Sequence, residues 1–414
     1  MCGHSPSGYR CVVHLEAKRM AGEPLGLPLV RVIFLQNWSS KQRFGLLGTL
    51  VPARLAGMGA ERIRVLDLFA GAGGLTAGFQ IASSRFSTVR AVEMDLAAAA
   101  SYERTFGSGV VYAGPIQTWL SSEEMPRDID VVVGGPPCQG FSTLGKQDAE
   151  DDRNSLWRQY AETIRRAKPK YFVVENVAAF ARSNQYQDFK AAVQPGEFLE
   201  DYDFDFEILN SADYGAPQAR KRAVLIGHHR DLPAPGFPLA THRGAPKTVA
   251  EALRGVPLAP DADAVFGTRS THFEGRTFSG EYSARELHLS RDYSKMSLAR
   301  FRAIPEGGNR FNLPEHLKAE CWKRHTTGSG DVMGRLHWNK PSVTIRTEFF
   351  KPEKGRYLHP TEDRAITHYE AAILQGFPET HRFVGSKTAI ARQIGNAVPV
   401  PLGAAIAGHL AKLL

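Results

Sequence analysis

Between residues 63 and 227 the chain alternates short, mostly apolar runs with longer segments of helical period. No other feature restricts the fold as much. The runs at 63–68, 89–93, 129–133 and 171–175 are rich in Val, Ile and Leu, as strands buried on both faces are. The segments at 75–82, 97–106 and 155–167 have the length and spacing of helices. Further runs at 204–209 and 223–227 read as later strands. Strands alternating with helices predict an α/β fold with a doubly wound, Rossmann-like sheet. In such sheets ligands sit outside the carboxyl ends of the strands.

From 230 to 340 the rhythm is lost, Gly, Pro and charged residues are frequent, and no period stands out. This stretch predicts a second, smaller, irregular domain at 230–345. Helix-like segments return at 367–375 and 401–413, so the sheet domain is expected to comprise 58–229 plus 346–414. Residues 1–57 show no clear period, and Met58 precedes the first strong motif, so they read as a disordered extension or a mis-chosen start. No internal repeat is visible.

Charge adds a partner to this outline. The net charge is +8, and residues 230–340 hold 17 Lys/Arg against 12 Asp/Glu. Residues 1–57 hold seven against two, so the remainder is slightly acidic. Positive charge concentrated in one internal segment points to an anionic partner there. No apolar run approaches the ~20 residues of a membrane span. The four cysteines, Cys2, Cys11, Cys138 and Cys321, have neither metal-ligand nor disulfide spacing, and a reducing cytoplasm is the expected setting.

Six motifs punctuate the framework. Asp67-Leu-Phe69-Ala-Gly71-Ala-Gly73-Gly74 follows the first strand and opens a helix, where glycines let backbone approach a ligand. Alone it makes a nucleotide-like ligand plausible, with a plain strand-to-helix turn as the lesser reading. Val92-Glu93-Met94 ends the second strand, where an acidic residue commonly holds the ribose hydroxyls of an adenosine. Gly134-Gly135-Pro136-Pro137-Cys138-Gln139-Gly140-Phe141-Ser142 places a cysteine in a rigid turn beyond a strand end, as a nucleophile requires. Glu175-Asn176-Val177 brings a carboxyl group to the same edge. Gln218-Ala-Arg220-Lys221-Arg222 leads into a strand, and in extended chain its Gln and two Arg share one face. Gln393-Ile-Gly395-Asn396-Ala397-Val398-Pro399 reads as a turn before the last helix.

In this order the motifs resemble those of the DNA cytosine-C5 methyltransferases, from Ile63 to the C-terminus and least between 230 and 340. Amino-group methyltransferases carry an aromatic residue after the Pro-Pro pair, whereas Cys138 stands there in this chain. The resemblance implies that Phe69, Gly71, Gly73 and Glu93 bind S-adenosylmethionine, with Met94 against the adenine and Asn396 completing the pocket. It implies that Cys138 attacks C6 of a flipped-out cytosine, that Glu175 stabilises protonation at N3, and that Arg222 holds O2 with Arg220 in support. Gln139, Ser142, Gln218 and the Thr344-Ile345 pair are assigned to DNA. The loop 143–153 is polar and charged and is expected to close over the flipped nucleotide. Arg364, Thr367, Glu370 and Gln375 match a structural motif of the family.

One departure stands out. The family carries an Asp in a Gly-Asp-Ile motif that contacts the adenine amino group, and this chain reads Gly114-Pro115-Ile116. Weaker or differently satisfied cofactor binding is expected, and with it the alternative of a catalytically impaired DNA-binding relative. A tRNA-methylating relative is a further alternative, but its Cys-Phe-Thr signature is not found. The expected partner is double-stranded DNA and the expected state a monomer. A bacterial cytoplasm and a cognate restriction endonuclease complete the expectation, and no metal is implied.

Overall fold

The apolar rhythm becomes one seven-stranded sheet in a computed structural model that describes residues 61–137, 156–260, 266–324 and 327–414. In chain order the first half runs β1 (Ile63–Leu68), α1 (Gly74–Ala82), β2 (Phe86–Glu93), α2 (Leu96–Phe106), β3 (Val111–Ala113), α3 (Ile116–Ser122) and β4 (Val131–Gly134). It continues through α4 (Leu156–Ala167), β5 (Tyr171–Val177), α5 (Asn184–Ala192), β6 (Tyr202–Asn210) and β7 (Lys221–His229). The strand order is β3-β2-β1-β4-β5-β7-β6. All neighbours are parallel except β7, which runs antiparallel to both β5 and β6.

The runs read as continuous apolar sequence because consecutive residues feed different cores. Leu66, Leu68, Val132, Phe172 and Val174 point into one layer with Trp119, Tyr160 and Ile164. Val65, Val131, Val133, Tyr171 and Val173 point into the other, with Leu75, Phe79, Leu402 and Ile406. Both faces are covered, as a parallel sheet demands. β3 and α3 were not expected, because three strand residues are too few to reveal a period.

The chain leaves β1 toward β2 and β3, then returns to place β4 on β1's other side. The carboxyl ends of β1 and β4 therefore adjoin at the point where strand order reverses, the crevice such sheets use for ligands. Leu68 pairs with Gly134 there, and a Cβ at Gly134 would lie 2.2 Å from the Leu68 carbonyl oxygen.

Beyond β7 come α6 (Val249–Ala252), β8 (Ser270–Phe273), β9 (Arg276–Ser283), α7 (Lys295–Arg302) and α8 (Glu320–Arg324). They are followed by α9 (His368–Gln375), β10 (Arg382–Val384), α10 (Lys387–Asn396) and α11 (Val400–Leu410). β8, β9 and β10 form a small antiparallel sheet, so the irregular stretch pairs directly with the C-terminal segment. Leu253, Tyr282, Leu289 and Leu336 share a core with Tyr369, Leu374, Phe383 and Ile390. Residues 62–414 form one compact unit, within which only a small cluster of Phe301, Ile304, Leu313, Met333 and Leu358 belongs to the irregular stretch and its C-terminal flank. The turn expected at 393–399 is corrected, since Gln393–Asn396 complete α10. The extension 1–57 lies outside the described residues.

α11 lies directly on α1. A Cβ on Gly78 would come within 2.7 Å of the Val400 carbonyl oxygen, and Gly403 of α11 faces Leu75. Small residues at this crossing let the two backbones touch.

Candidate active site

The first wall of the crevice is the loop between β1 and α1. Phe69, Gly71 and Gly73 all have positive φ, at 54°, 57° and 86°. A Cβ on Gly73 would meet the Phe106 ring at 2.1 Å, whereas one on Gly71 would meet nothing within 4 Å. The loop is thus packed from behind and open on its outer side. Glu93, at the end of β2, ties it down: Oε2 accepts from the Gly71 N–H at 2.8 Å and Oε1 from the Asp95 N–H at 2.7 Å. Burial raises the Glu93 pKa and these backbone donors oppose it. The carboxylate keeps acceptor capacity for a ribose hydroxyl. Met94 beside it is 66% exposed.

Beneath the loop lies a polar cluster the motifs did not announce. Thr76 Oγ1 donates to Asp67 Oδ2 at 2.6 Å and lies 2.8 Å from the Tyr102 hydroxyl. Burial pushes the Asp67 pKa up to about 7 against the Thr76 hydrogen bond, with Glu93 adding to the rise. Asn396 is exposed at the end of α10. The turn that follows it abuts the start of α1, since a Cβ on Gly74 would lie 2.9 Å from the Val398 carbonyl oxygen. A loop open on one side, with a carboxylate at the neighbouring strand end, fits a nucleoside-bearing cofactor. Pro115 does not contribute a carboxylate: it is exposed at the N-cap of α3 and makes no side-chain cap.

The second wall follows β4 and β5. In the β5–β7 ladder Arg222 lies opposite Val177, and Glu175 is two residues away on the same face. Arg222 Nε therefore meets Glu175 Oε1 at 2.6 Å, with both side chains nearly buried. A second Arg222 nitrogen donates to the Lys221 carbonyl. The adjacent Asn176 donates from Nδ2 to the Pro136 carbonyl at 2.8 Å, both groups being buried. A Cβ on Gly135 would lie 3.0 Å from Glu175 Oε2. The Pro-Pro turn is thus pinned against the Glu175–Arg222 pair. Cys138, Gln139, Ser142 and the loop 143–153 lie outside the described residues, and Cys138 follows Pro137 directly in sequence.

Gln218 and Ile345, expected at the DNA, need correction. Gln218 is fully buried. Its Oε1 accepts from the Ile345 N–H at 2.8 Å, and its Nε2 donates to Gln375 Oε1 at 2.7 Å. Gln375 in turn donates to the Ile394 carbonyl. This amide relay joins four sequence motifs, and it leaves Gln218 nothing to offer a partner outside. Ile345 is equally buried. Thr344 is half-buried, its hydroxyl donating to the Ala219 carbonyl at 3.1 Å. Arg220 does not share the surface of Arg222. It is buried and donates to the Ile345 carbonyl at 2.8 Å, with Nε lacking a partner among the described residues. Burial, reinforced by Arg222, lowers its pKa to about 9. Sequence reasoning gave no role to Asn176 or Asp67. Asn176 stood inside a quoted motif, but its partner, a main-chain carbonyl, has no signature.

The family model described as C-5 cytosine-specific DNA methylase matches residues 63–412. The chain is 33% identical over 384 residues to the Type II methyltransferase M.XorII of Xanthomonas oryzae pv. oryzae, covering 84% of each chain. It is 34% identical over 358 residues to the Type II methyltransferase M1.HphI of Haemophilus parahaemolyticus, covering 84% of this chain and 86% of that one. Among solved structures it resembles a protein titled as a DNA modification methyltransferase encoded within an E. coli prophage. The TM-score is 0.62 and the identity 26%, over 85% of this chain and 99% of the other. A Dnmt2 methyltransferase of S. pombe, 16% identical with a TM-score of 0.51 over 85% and 99%, shares the fold. With the sheet order, the crevice and the family match agreeing over the same 350 or so residues, the chain belongs to the C-5 cytosine-specific DNA methylases and is a DNA cytosine-5-methyltransferase.

Proposed function

We propose that this enzyme methylates C5 of a cytosine flipped out of a specific duplex sequence, through a covalent bond between Cys138 and C6. One observation carries the reading: the Glu175–Arg222 pair packs against the Pro136 turn that Asn176 holds, two residues before Cys138. S-adenosylmethionine, when bound, supplies an electrophilic methyl group. Phe69, Gly71, Gly73, Glu93, Met94 and Asn396 would hold it.

C5 of cytosine is too weak a nucleophile to react unaided, and the base is out of reach within the duplex stack. The Cys138 thiolate donates its electron pair to C6. N3 takes up a proton as negative charge moves onto the ring and gives it back on elimination, Glu175 stabilising that protonation, and Arg222 orients O2 while holding Glu175 in place. The resulting enamine is nucleophilic at C5, which takes the methyl group. Loss of the C5 proton to solvent then restores the C5–C6 double bond and expels the Cys138 sulfur. Arg220 acts indirectly, by fixing the Ile345 carbonyl.

Exposed residues of 230–343 and the half-buried Thr344 contact the duplex in this reading, together with the Gln139 and Ser142 side chains. A Type II modification role beside a cognate endonuclease fits the named relatives. Expression in a methylation-free host, with bisulfite sequencing of its genome, yields one methylated sequence for the wild type. Cys138→Ala abolishes that signal while duplex binding persists, and 5-fluorocytosine DNA traps a covalent adduct with the wild type only. Turnover by Cys138→Ala would overturn the nucleophile assignment. Pro115 alone favours the catalytically impaired DNA-binding relative, which the same experiment would reveal as a wild type that methylates nothing.

A further inference from the structure

Arg346 follows the Thr344-Ile345 pair and has no role in the chemistry above. Its backbone is held unusually firmly. The preceding residue has its N–H bound by Gln218 and its carbonyl by Arg220. On the other side, a Cβ on Gly395 would lie 2.5 Å from the Arg346 carbonyl carbon and 2.5 Å from the Thr347 nitrogen. Only glycine at 395 lets the end of α10 press this close. The Arg346 side chain is exposed, and among the described residues no carboxylate or hydrogen-bond acceptor engages it.

The surrounding charge is unbalanced. Arg220, Arg222 and Arg346 lie close enough that the latter two both lower the Arg220 pKa. Glu175 is the carboxylate that opposes them, and it is already committed to Arg222. Tyr357, the other acidic group facing Arg220, is a phenol whose burial pushes its pKa up to about 12 and whose hydroxyl donates to the Thr344 carbonyl. It stays neutral. Among the described residues, three guanidinium groups face one carboxylate, which leaves an excess of positive charge beside Arg220, and an exposed guanidinium on a rigid backbone is a receptor for an anion.

We propose that Arg346 anchors a backbone phosphate of the duplex at the rim of the reaction site, fixing the register in which the target cytosine reaches Glu175. This rests on the reading of the chain as an enzyme acting on duplex DNA. Phosphate contacts position a protein on DNA without reading sequence, so Arg346 acts on affinity and leaves the recognised sequence unchanged.

The test uses full-length wild type, Arg346→Gln and Arg346→Lys, with a duplex fragment that the wild type methylates. For Arg346→Gln the KM for duplex rises about tenfold, as loss of one charge-assisted contact implies. The slope of log affinity against log salt becomes shallower by about one. Arg346→Lys recovers the slope, because the charge is retained. An Arg346→Gln variant with unchanged KM and slope overturns the inference. So does one whose KM rises for S-adenosylmethionine alone, which would place the anion on the cofactor. A wild type that methylates no duplex overturns the underlying reading, and this inference with it. Methylation by the wild type with no effect of Arg346→Gln sinks the inference alone.

Discussion

The sheet of residues 63–229 and the irregular stretch from 230, taken with its C-terminal flank as far as Arg364, are held together by different means. In the sheet, main-chain ladders satisfy the backbone, and side chains are free to be Val, Ile and Leu. In the irregular stretch the carbonyls have few ladder partners, and buried arginines take that place. Arg335 donates to the carbonyls of Phe301, Ile304, His359 and Glu362, all at 2.7–2.8 Å, and also meets Asp363. Arg356 donates to the carbonyls of Gly307, Gly308, Gly330 and Arg335, the last contact tying its guanidinium to the Arg335 main chain. Arg364 forms a two-pronged pair with Glu370 and reaches the Leu258 carbonyl. A chain without regular elements can still satisfy its buried carbonyls if a five-donor fork is placed among them. Such a region looks charged and patternless in sequence, although much of that charge is structural.

The comparison breaks most directly at Arg335. Arg335→Leu leaves four carbonyls without their donor and is expected to destabilise by about 4 kcal/mol. Val132→Ala in the sheet is expected to cost about 2 kcal/mol. Chemical denaturation gives both values, and hydrogen exchange would localise the first to 301–308 and 359–363. Equal losses would remove the distinction.

Titration sharpens it next. Burial lowers the pKa of His359 and His368 to about 4 and of His381 to about 3, so the folded chain keeps them neutral. Between about pH 6.5 and 4 the unfolded chain binds more protons at these sites, and their stabilisation is lost as pH falls. Asp67, in the sheet region, has the opposite sign. Its folded pKa of about 7 exceeds the ordinary 3.8, so the folded chain binds the extra proton and stability is lost as pH rises from about 4 through 7. Asp67→Asn should recover no more than about 4 kcal/mol at pH 8 and little at pH 4. Denaturation midpoints across pH 4–8 test both signs, and a pH-independent difference between wild type and Asp67→Asn contradicts the second.

The smallest effect is expected at Pro115→Asp. An Asp at this N-cap should stabilise α3 by about 1 kcal/mol and tighten S-adenosylmethionine binding. Calorimetry of the two proteins measures both, and unchanged cofactor affinity dismisses Pro115 as a handicap.

What could be read from sequence follows the same division. β1 was legible to the residue, and β2, β4, β5, β6 and β7 were located, because alternate residues enter two apolar layers. Glu175 and Arg222 could be nominated from their motifs, and the ladder register explains why they meet. Ile345 was misjudged because it shares a motif with Thr344, and Gln218 because a polar residue in a motif looks like a contact. Its burial depends on Gln375, 157 positions away. The helical character of Gln393–Asn396 was hidden by Gly395, whose composition suggests a turn but whose purpose is the passage of the Arg346 backbone. Partners that are main-chain carbonyls, as for Asn176 and Arg335, leave no trace in composition.

The contact between Gly78 and the last helix has a consequence for the order of events during synthesis. Among the described residues the glycine-rich loop follows the first strand, yet the helix it opens, α1, is covered by Val400–Leu410, the last helix to be translated. A nascent chain halted before that helix would leave α1, which follows the glycine-rich loop, without this cover. Competence in methyl transfer is therefore expected to wait on the final turns of the chain.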